Sequence, residues 1–349
     1  MLKNSSLSEI KISDGKTGES GFTIVEVIIS MVIFLIVTGA VYGVLQIAQR
    51  SRNTVNQEAY LTKNVRLSLN LLGRDTYNAG LNYPLKNSVK LGDDKMSTLI
   101  GIPNDAGGAD DVIQPVIAGN NVRSNTFATP NTTTDQVTFL FKDTTFNIVG
   151  TVGPPDTRVS QSSIITPLAP TGGVNQVTVT SGSAVCQLKD IFVLTGASGS
   201  TLGVVTAKDD TTGIVQFANN DILGFNQNGG GTILVSTAPI TMFRVTLVTY
   251  FVTADGILTR REFANNSTLT SSPNYTDEPL VYGVEDFQIQ YILADGTLAD
   301  NPSVTQLSTV RQIRFTVSAK SVEVDQAGQP YQTTLTSTFS TRNLGYNPN

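Results

Sequence analysis

The chain has 349 residues, of which 15% are charged, with a net charge of −5 and a mean hydropathy of +0.02. This length allows a sizeable core with an accessory segment, and the composition favours neither a nucleic-acid binder nor a disordered chain. The sequence has no histidine and a single cysteine, which excludes histidine triads, histidine zinc sites and an internal disulfide. No phosphate-binding G-x-x-x-x-G-K-[ST] loop occurs. We therefore predict a protein that is not an enzyme, with no cofactor and no metal.

A polar segment, residues 1–21, precedes the first apolar stretch of the chain. A secretory signal peptide has the reverse order, an apolar stretch followed by small residues at the cleavage site, so we expect the apolar stretch to remain after processing. It covers residues 22–45, about 24 residues or roughly 36 Å of helix, and a hydrocarbon core is about 30 Å thick. The sequence therefore predicts one membrane-spanning helix.

Glu26 is the one charged side chain inside this apolar stretch. An ionised carboxylate in hydrocarbon is costly unless a cation pairs with it. Either Glu26 reaches the lipid headgroups from near the helix end, or a positively charged partner comes to it. The residues around Glu26 favour the second interpretation.

Gly21-Phe22-Thr23-Ile24-Val25-Glu26 resembles the cleavage and methylation motif of type IV prepilins and type II secretion pseudopilins. The resemblance implies that a prepilin peptidase cleaves after Gly21 and methylates the new amino terminus of Phe22. It also implies a role for Glu26 in assembly, because the Phe22 amine of an axially shifted neighbouring subunit would neutralise the carboxylate. Glu19 and Ser20 depart from the family, in which basic residues are more usual at these positions.

Lysine and arginine residues flank the helix on both sides, so its orientation rests on the resemblance. The family places residues 1–21 in the cytoplasm and the C-terminal domain across the inner membrane, before the protein enters a pilus at the cell surface. Gly39 and Gly43 form a G-x-x-x-G pair, which suits close helix packing. Glycine is also frequent in membrane helices, so both interpretations of the pair stay open.

After Gln46 the sequence becomes polar, and apolar residues continue at helical spacing on one face. These residues are Leu61, Val65, Leu69 and Leu72. Asn78-Ala79-Gly80 and then Pro84 provide a left-handed cap and a helix breaker. The sequence predicts one helix over residues 22–77, about 56 residues or on the order of 84 Å, apolar all round at first and one-sided later.

From Leu85 onward, short runs rich in Thr, Asn, Gly, Val and Ile predict strands and loops. In residues 85–238 the strand candidates are residues 136–142, 176–180, 191–194 and 213–217. They are separated by loop-like stretches such as residues 226–231. We interpret this region as an irregular β-rich insertion.

The last third, residues 239–349, has clearer strand patterns. A turn at Ala254-Asp255-Gly256 predicts a hairpin of residues 240–253 and 257–263. Apolar and polar residues alternate in 286–293 and in 313–318, and residues 333–342 form a last strand candidate. This pattern is typical of an antiparallel sheet with one buried face, which the amphipathic half of the helix would cover.

Together these features predict an α+β, pilin-like fold: a long N-terminal helix, with a membrane half and an amphipathic half, packed on a large β-rich antiparallel-sheet head. The expected division is a cleaved leader at 1–21, a transmembrane and filament-core helix at 22–46, an amphipathic helix and cap at 47–84, the insertion at 85–238 and the antiparallel sheet at 239–349.

Four segments of the last third resemble, in order, the C-terminal halves of PilW-type minor pilins, whose relatives include the type II secretion pseudopilin GspJ. They are residues 258–263, 284–291, 311–315 and 340–344. The resemblance implies a minor pilin that primes or caps filament assembly. Its partners would be a prepilin peptidase, other minor and major pilins and the inner-membrane assembly platform. The alternatives are a type II secretion minor pseudopilin and a filament-displayed adhesin that binds through residues 85–238. No nucleic-acid partner is expected, since no basic stripe occurs.

Other residues are candidates for sites, but each has a simpler interpretation. Three acidic pairs in polar segments are candidate calcium ligands: Asp93-Asp94, Asp110-Asp111 and Asp209-Asp210. No calcium-loop pattern surrounds them, so we expect solvated loop carboxylates. For Cys186 we expect a small buried hydrophobic side chain rather than a reactive thiol. Tyr42 and Tyr60 are expected to pack rather than to carry electrons.

Overall fold

The computed structural model of the chain describes residues 21–84, 89–90, 96–101, 112–143, 163–171, 174–178, 186–196, 199–219, 221–227, 240–270, 272–324 and 329–344. Contacts divide the chain into two compact units, Met1–Asn56 and Gln57–Asn349. The fold is α+β, as predicted. A long apolar N-terminal helix packs, through its second part, on a large antiparallel β-sheet head.

Helix α1 extends over Ile24–Asn78, 55 residues, close to the predicted helix. Within the described ranges it is the one helix that is long and apolar enough to cross a membrane. It ends at the predicted cap, where Gly80 has a left-handed conformation (φ +77°). The Gly80 N–H donates to the Leu140 carbonyl oxygen at 3.0 Å, so the helix end is tied to the head.

Two sheets make up the head. The strands of the first sheet are β1 (Val89–Lys90), β2 (Val112–Ile113), β3 (Val116–Asn125), β4 (Thr132–Lys142), β5 (Ser163–Thr171), β6 (Val174–Thr178), β7 (Ile191–Gly196), β8 (Gly199–Val204), β9 (Ala207–Asp209), β10 (Ile214–Phe217), β11 (Ile240–Val252), β12 (Ile257–Phe263) and β13 (Tyr275–Tyr282). Those of the second are β14 (Val284–Leu293), β15 (Leu298–Ala299), β16 (Val310–Val324) and β17 (Pro330–Ser340). Short helical turns lie at Met96–Ile100, Phe225–Gln227 and α2 (Val304–Leu307).

The first sheet is organised around β11. The N-terminal part of this 13-residue strand pairs with β5 and β7, and its C-terminal part pairs with β4 and β12. The predicted β11–β12 hairpin is confirmed, and it turns at Gly256 (φ +72°). Strand pairing also crosses the boundary expected at residue 238, because β4, β5 and β7 precede it and β11 follows it. Among the described strands, β1 and β8 are the one parallel pair.

The second sheet has the order β15-β14-β16-β17 and buries one face. Its inward side chains are those that the alternation predicts: Phe287, Ile289 and Tyr291 on β14, and Ile313, Phe315 and Val317 on β16. The rings of Phe287 and Phe315 stack with their centroids 6.2 Å apart. This face forms the main core of the head.

The second part of α1 covers this inner face. Val65, Leu69 and Leu72 are at most 3% exposed and belong to the same buried cluster as the inward side chains of β14 and β16. The predicted apolar face of the helix is therefore confirmed, with Leu61 half-buried at its margin. Burial of one such side chain contributes about 1.5–3 kcal/mol, so this face is what holds the helix on the head.

Side chains of the first sheet form hydrogen bonds with backbone groups of β14 in the part of this strand that does not pair with β15. The Asp135 carboxylate, on β4, accepts a hydrogen bond from the Ile289 N–H at 2.7 Å. The Asn125 side-chain amide donates to the carbonyl oxygens of Val284 and Glu285, each at 2.9 Å. Burial raises the pKa of Asp135, and the hydrogen bonds from backbone N–H groups oppose the rise. These bonds hold the two sheets together.

Gly73 lies where α1 comes close to β17. An ideal Cβ atom at this buried position would lie within 3.0 Å of three ring atoms of Phe339. Glycine inside a helix normally costs about 0.5–1 kcal/mol relative to alanine. The close approach of the helix to the Phe339 ring therefore accounts for a glycine that helix propensity alone disfavours.

We expect Gly73→Ala to lower the free energy of unfolding by about 1–3 kcal/mol, because the added methyl group must displace the Phe339 ring. Urea unfolding of the full chain in detergent, followed by tyrosine fluorescence, measures the change. The control is Asn70→Ala at an exposed position of the same helix, where we expect a change within about 0.5 kcal/mol. Unchanged or increased stability of Gly73→Ala would contradict the close approach.

Candidate functional site

Thr23 and Glu26 build the N-terminal turn of α1. The Glu26 Oε2 atom accepts hydrogen bonds from the Thr23 N–H and the Thr23 hydroxyl, both at 2.9 Å, and the Glu26 N–H donates to Thr23 Oγ1 at 3.3 Å. This reciprocal arrangement is a capping box. Because Thr23 caps the helix, α1 starts at Ile24 rather than at the predicted Phe22. Thr23 is a site residue that the apolar pattern does not reveal, but the T-x-x-E spacing does.

The cap satisfies hydrogen bonding at Glu26 but supplies no full positive charge. The helix dipole favours a carboxylate at this end, and both capping bonds use Oε2, so Oε1 takes no part in the cap. The basic residues described in the unit Met1–Asn56 are Arg50 and Arg52, at least 24 residues further along the helix, roughly 36 Å from Glu26. In an apolar medium Glu26 therefore still requires a cation from elsewhere.

The rest of this segment is an apolar helix surface that is exposed in the single chain. Phe22 is 84% exposed, and the apolar side chains that follow it are exposed as well. The Ser30 hydroxyl donates to the Glu26 carbonyl oxygen at 2.7 Å and is thus satisfied inside the helix. An added Cβ atom at Gly39 or Gly43 would meet no described atom within 4 Å, which leaves room for a neighbouring helix. Such a surface requires lipid or other helices around it.

A buried ion pair fixes the opposite end of α1 to the first sheet. Asp75, in the last turn of the helix, is 1% exposed. Its Oδ2 atom accepts hydrogen bonds from Arg260 Nε at 3.1 Å and from the Tyr250 hydroxyl at 2.7 Å. Burial and the adjacent Asp75 carboxylate raise the pKa of Tyr250 well above its usual range, so this hydroxyl stays protonated as a donor. The segment 258–263 thus contains Arg260, which pairs with Asp75 of the helix.

Residues 340–344 close around the same helix end. The Arg342 guanidinium donates to the Tyr77 hydroxyl at 2.7 Å, and the Asn343 side-chain amide donates to the Tyr77 carbonyl oxygen at 3.0 Å. Asn343 thereby satisfies one of the carbonyl groups that a helix end leaves without a partner. Leu344 is buried beside Gly80. Two of the segments that resemble PilW-type sequences therefore contact the end of α1.

Of the three acidic pairs, the structure describes Asp209-Asp210. Asp209 accepts hydrogen bonds from the Thr211 N–H and the Thr212 hydroxyl, and Asp210 pairs with Lys208 at 3.0 Å. The part of the chain that the structure describes contains no group of three metal-ligating side chains. The other acidic pairs, Asp93-Asp94 and Asp110-Asp111, lie outside the described residues.

Cys186 is fully buried, as predicted. Burial raises the pKa of its thiol to about 12, which favours the protonated form at neutral pH. Tyr42 and Tyr60 are 63% and 67% exposed, so the packing expected for them does not occur within the single chain.

The family description "Prokaryotic N-terminal methylation motif" matches residues 16–42. The match includes Gly21, Phe22, Glu26 and Gly39. It supports a type IV pilin-like protein, that is, a pilin or pseudopilin subunit, and implies processing by a prepilin peptidase and association with other pilins. The apolar N-terminal helix fits a membrane anchor. A search of curated proteins and a search of solved structures found no match.

We expect Asp75→Asn to lower the free energy of unfolding by about 3 kcal/mol, because it leaves the buried Arg260 without its main charged partner. Tyr250→Phe removes one hydrogen bond to the same carboxylate and is expected to cost about 1–2 kcal/mol. Urea unfolding of the full chain in detergent measures both. Asp210→Asn, in the more exposed pair with Lys208, is the matched control and is expected to cost less than about 1 kcal/mol. Equal losses from Asp75→Asn and Asp210→Asn would contradict the anchoring role.

Proposed function

We propose that the chain is a minor pilin, a structural subunit rather than an enzyme. In this proposal it is cleaved between Gly21 and Phe22, methylated at Phe22, and held in the inner membrane by the first part of α1 with its head in the periplasm. It then packs with other pilins to prime or cap a type IV pilus. The observation that carries the proposal is the prepilin-type motif at residues 16–42, in which Glu26 has a cap but no nearby cation among the residues described in its unit.

The missing cation is proposed to be the amine of a neighbouring subunit. Within one helix the Phe22 amine lies about one turn below Glu26, whereas a subunit shifted along the filament axis brings its own Phe22 amine level with Oε1. The pair then neutralises both charges in the apolar core and sets the stagger between subunits. Gly39 and Gly43 are proposed to let a neighbouring helix approach closely.

Two features support a minor rather than a major pilin. The unit Gln57–Asn349 is large, and large heads crowd one another when every subunit of a filament carries one. A priming or capping position at the assembly platform accommodates such a head. The segments 258–263 and 340–344, which resemble PilW-type sequences, also contact the end of α1 and so have a defined role in a subunit of this kind.

The alternative is a type II secretion minor pseudopilin related to GspJ, because the motif fits a pilin and a pseudopilin alike. Neighbouring genes distinguish the two. Genes for twitching or piliation machinery favour the minor pilin, and genes for a secretin-linked secretion apparatus favour the pseudopilin.

Mass spectrometry of the N-terminal peptide tests the proposal most directly. In membranes or sheared filaments we expect an N-methylated Phe22 as the first residue, because the peptidase cleaves after Gly21 and methylates the new amine. In a strain that lacks the prepilin peptidase we expect the uncleaved N-terminus. An intact Met1 in cells with active peptidase would refute the proposed function.

We expect Glu26→Ala and Glu26→Gln to insert into the membrane normally and to be lost from filaments. Glutamine at this position also completes a capping box with Thr23, so Glu26→Gln keeps the cap and removes only the charge. Immunoblots of sheared filaments and of membranes measure incorporation and insertion. Normal incorporation of Glu26→Gln would show that the cap alone suffices, which contradicts the intersubunit pair.

A further inference from the structure

β17 offers an open edge of the second sheet. The strand has 11 residues and, among the described residues, pairs with β16 alone. Residues 332–340 keep an unbroken register with β16, and none of them is charged. A long, regular and uncharged edge strand is the form of sheet edge that pairs most readily with another chain.

The backbone groups of alternate β17 residues point away from β16. The Thr341 N–H donates to the Arg311 carbonyl oxygen at 2.9 Å, so these two residues form a hydrogen-bonded pair. Such pairs alternate along an antiparallel ladder. Odd-numbered residues of β17 therefore bond to β16, and even-numbered residues direct their N–H and C=O groups outward. The even-numbered residues 332–340 also have exposed side chains.

The corresponding edge of the first sheet is protected. β13 pairs with β12 alone and carries Asp277, Glu278 and Pro279, and the register shifts between Leu258 and Thr259 of β12. Charges, proline and bulges prevent an edge strand from pairing with another chain. β15, at the opposite edge of the second sheet, has two residues. Residues 332–340 of β17 have none of these protective features.

Three arginines lie at one end of the open edge. Arg314 of β16 is opposite Thr338 of β17, and Arg311 bonds to Thr341. Arg342 follows β17, so all three lie near its C-terminal end. Arg314 donates to the Gln290 side-chain oxygen and Arg342 to the Tyr77 hydroxyl. The ion pairs among the described residues involve none of the three arginines. A strand added along β17 therefore meets an excess of positive charge at this end.

We propose that β17 receives one extended strand from a different pilin-type subunit, with an acidic side chain placed beside Arg311 and Arg342. The inference rests on the proposed function, since it takes the partner from the same filament. Hydrogen bonds to the outward backbone groups of β17 hold the strand in the second sheet. The arginines select an acidic partner and fix the direction of its strand.

A second copy of the chain does not fit this edge. The geometry opposes antiparallel pairing of two β17 strands. The two-fold axis of such a pair is perpendicular to the sheet and reverses whatever lies along its face. Residues 65–73 of α1 lie on that face, so these parts of the two α1 helices would run in opposite directions, which conflicts with the axial shift between subunits that the proposed function requires. Parallel pairing would bring the arginines of both copies together.

Site-specific photo-crosslinking in cells that assemble the filament tests the proposal. The photoreactive p-benzoylphenylalanine replaces Thr338 in the full chain, and mass spectrometry identifies the crosslinked protein. We expect a partner whose own sequence carries a prepilin-type methylation motif. Thr336→Pro removes one outward N–H and should lower the adduct yield about tenfold or more, whereas Thr336→Val keeps that N–H and should leave the yield within about twofold.

Thr336→Pro leaves the backbone hydrogen bonds between β16 and β17 in place. Both Thr336→Pro and Thr336→Val lose the side-chain bond to Thr316, so the two variants stay matched, and urea unfolding checks that they fold. If Thr336→Pro does not fold, Arg311→Glu replaces it, and an undiminished yield from that variant counts against the proposal. No adduct, an adduct with a second copy or with a protein that lacks the motif, or equal yields from Thr336→Pro and Thr336→Val would overturn it. The same sample reports the N-terminus: methylated Phe22 without an adduct rejects this inference alone, and an intact Met1 rejects the proposed function.

Discussion

Burial of Val65, Leu69 and Leu72 against the second sheet allows one continuous helix to serve two environments. The second part of α1 packs a single apolar face against the head, so its other positions can be polar. The first part has apolar residues on every side, and they are exposed among the described residues, so it requires lipid or other helices. The two parts of α1 therefore suit different environments because the apolar surface is wide in the first part and narrow in the second.

Patterns of one-sided burial are what could be predicted from the sequence. The spacing of Leu61, Val65, Leu69 and Leu72 and the alternation along β14 and β16 both depend on one face meeting a core, and the structure confirms both. The β11–β12 hairpin could be predicted for a different reason: Gly256 marks a turn that requires a positive φ. Cap and turn signals are local in the sequence, so they can be recognised without knowing which elements pack together.

Pairing between distant strands and the burial of polar groups could not be predicted in this way. Nothing in the sequence of β4 indicates that β11, a hundred residues later, is its neighbour, because every strand exposes the same backbone groups. Strand propensity does not predict β13, because Asp277, Glu278 and Pro279 are unfavourable in strands. They are tolerated here because β13 lies at the edge of the sheet. The burial of Asp75 could not be predicted either, because its partners Arg260 and Tyr250 lie on strands of the first sheet that are distant in the sequence.

The two carboxylates at the ends of α1 show how the helix is fixed at one end and left open at the other. Glu26 lies where the helix dipole favours a negative charge, and Thr23 caps it within the same turn. Asp75 lies in the last turn, where the dipole opposes a negative charge, and the last turn contains no basic residue. Arg74 of the helix pairs with Asp75 Oδ1 at 3.2 Å from an exposed position, and Arg260 of the head pairs with Oδ2 at 3.1 Å inside the protein. The buried pair ties the helix end to one side chain on β12. Asp75 thus pairs with cations of its own chain, whereas the basic residues described in the unit Met1–Asn56 lie far from Glu26.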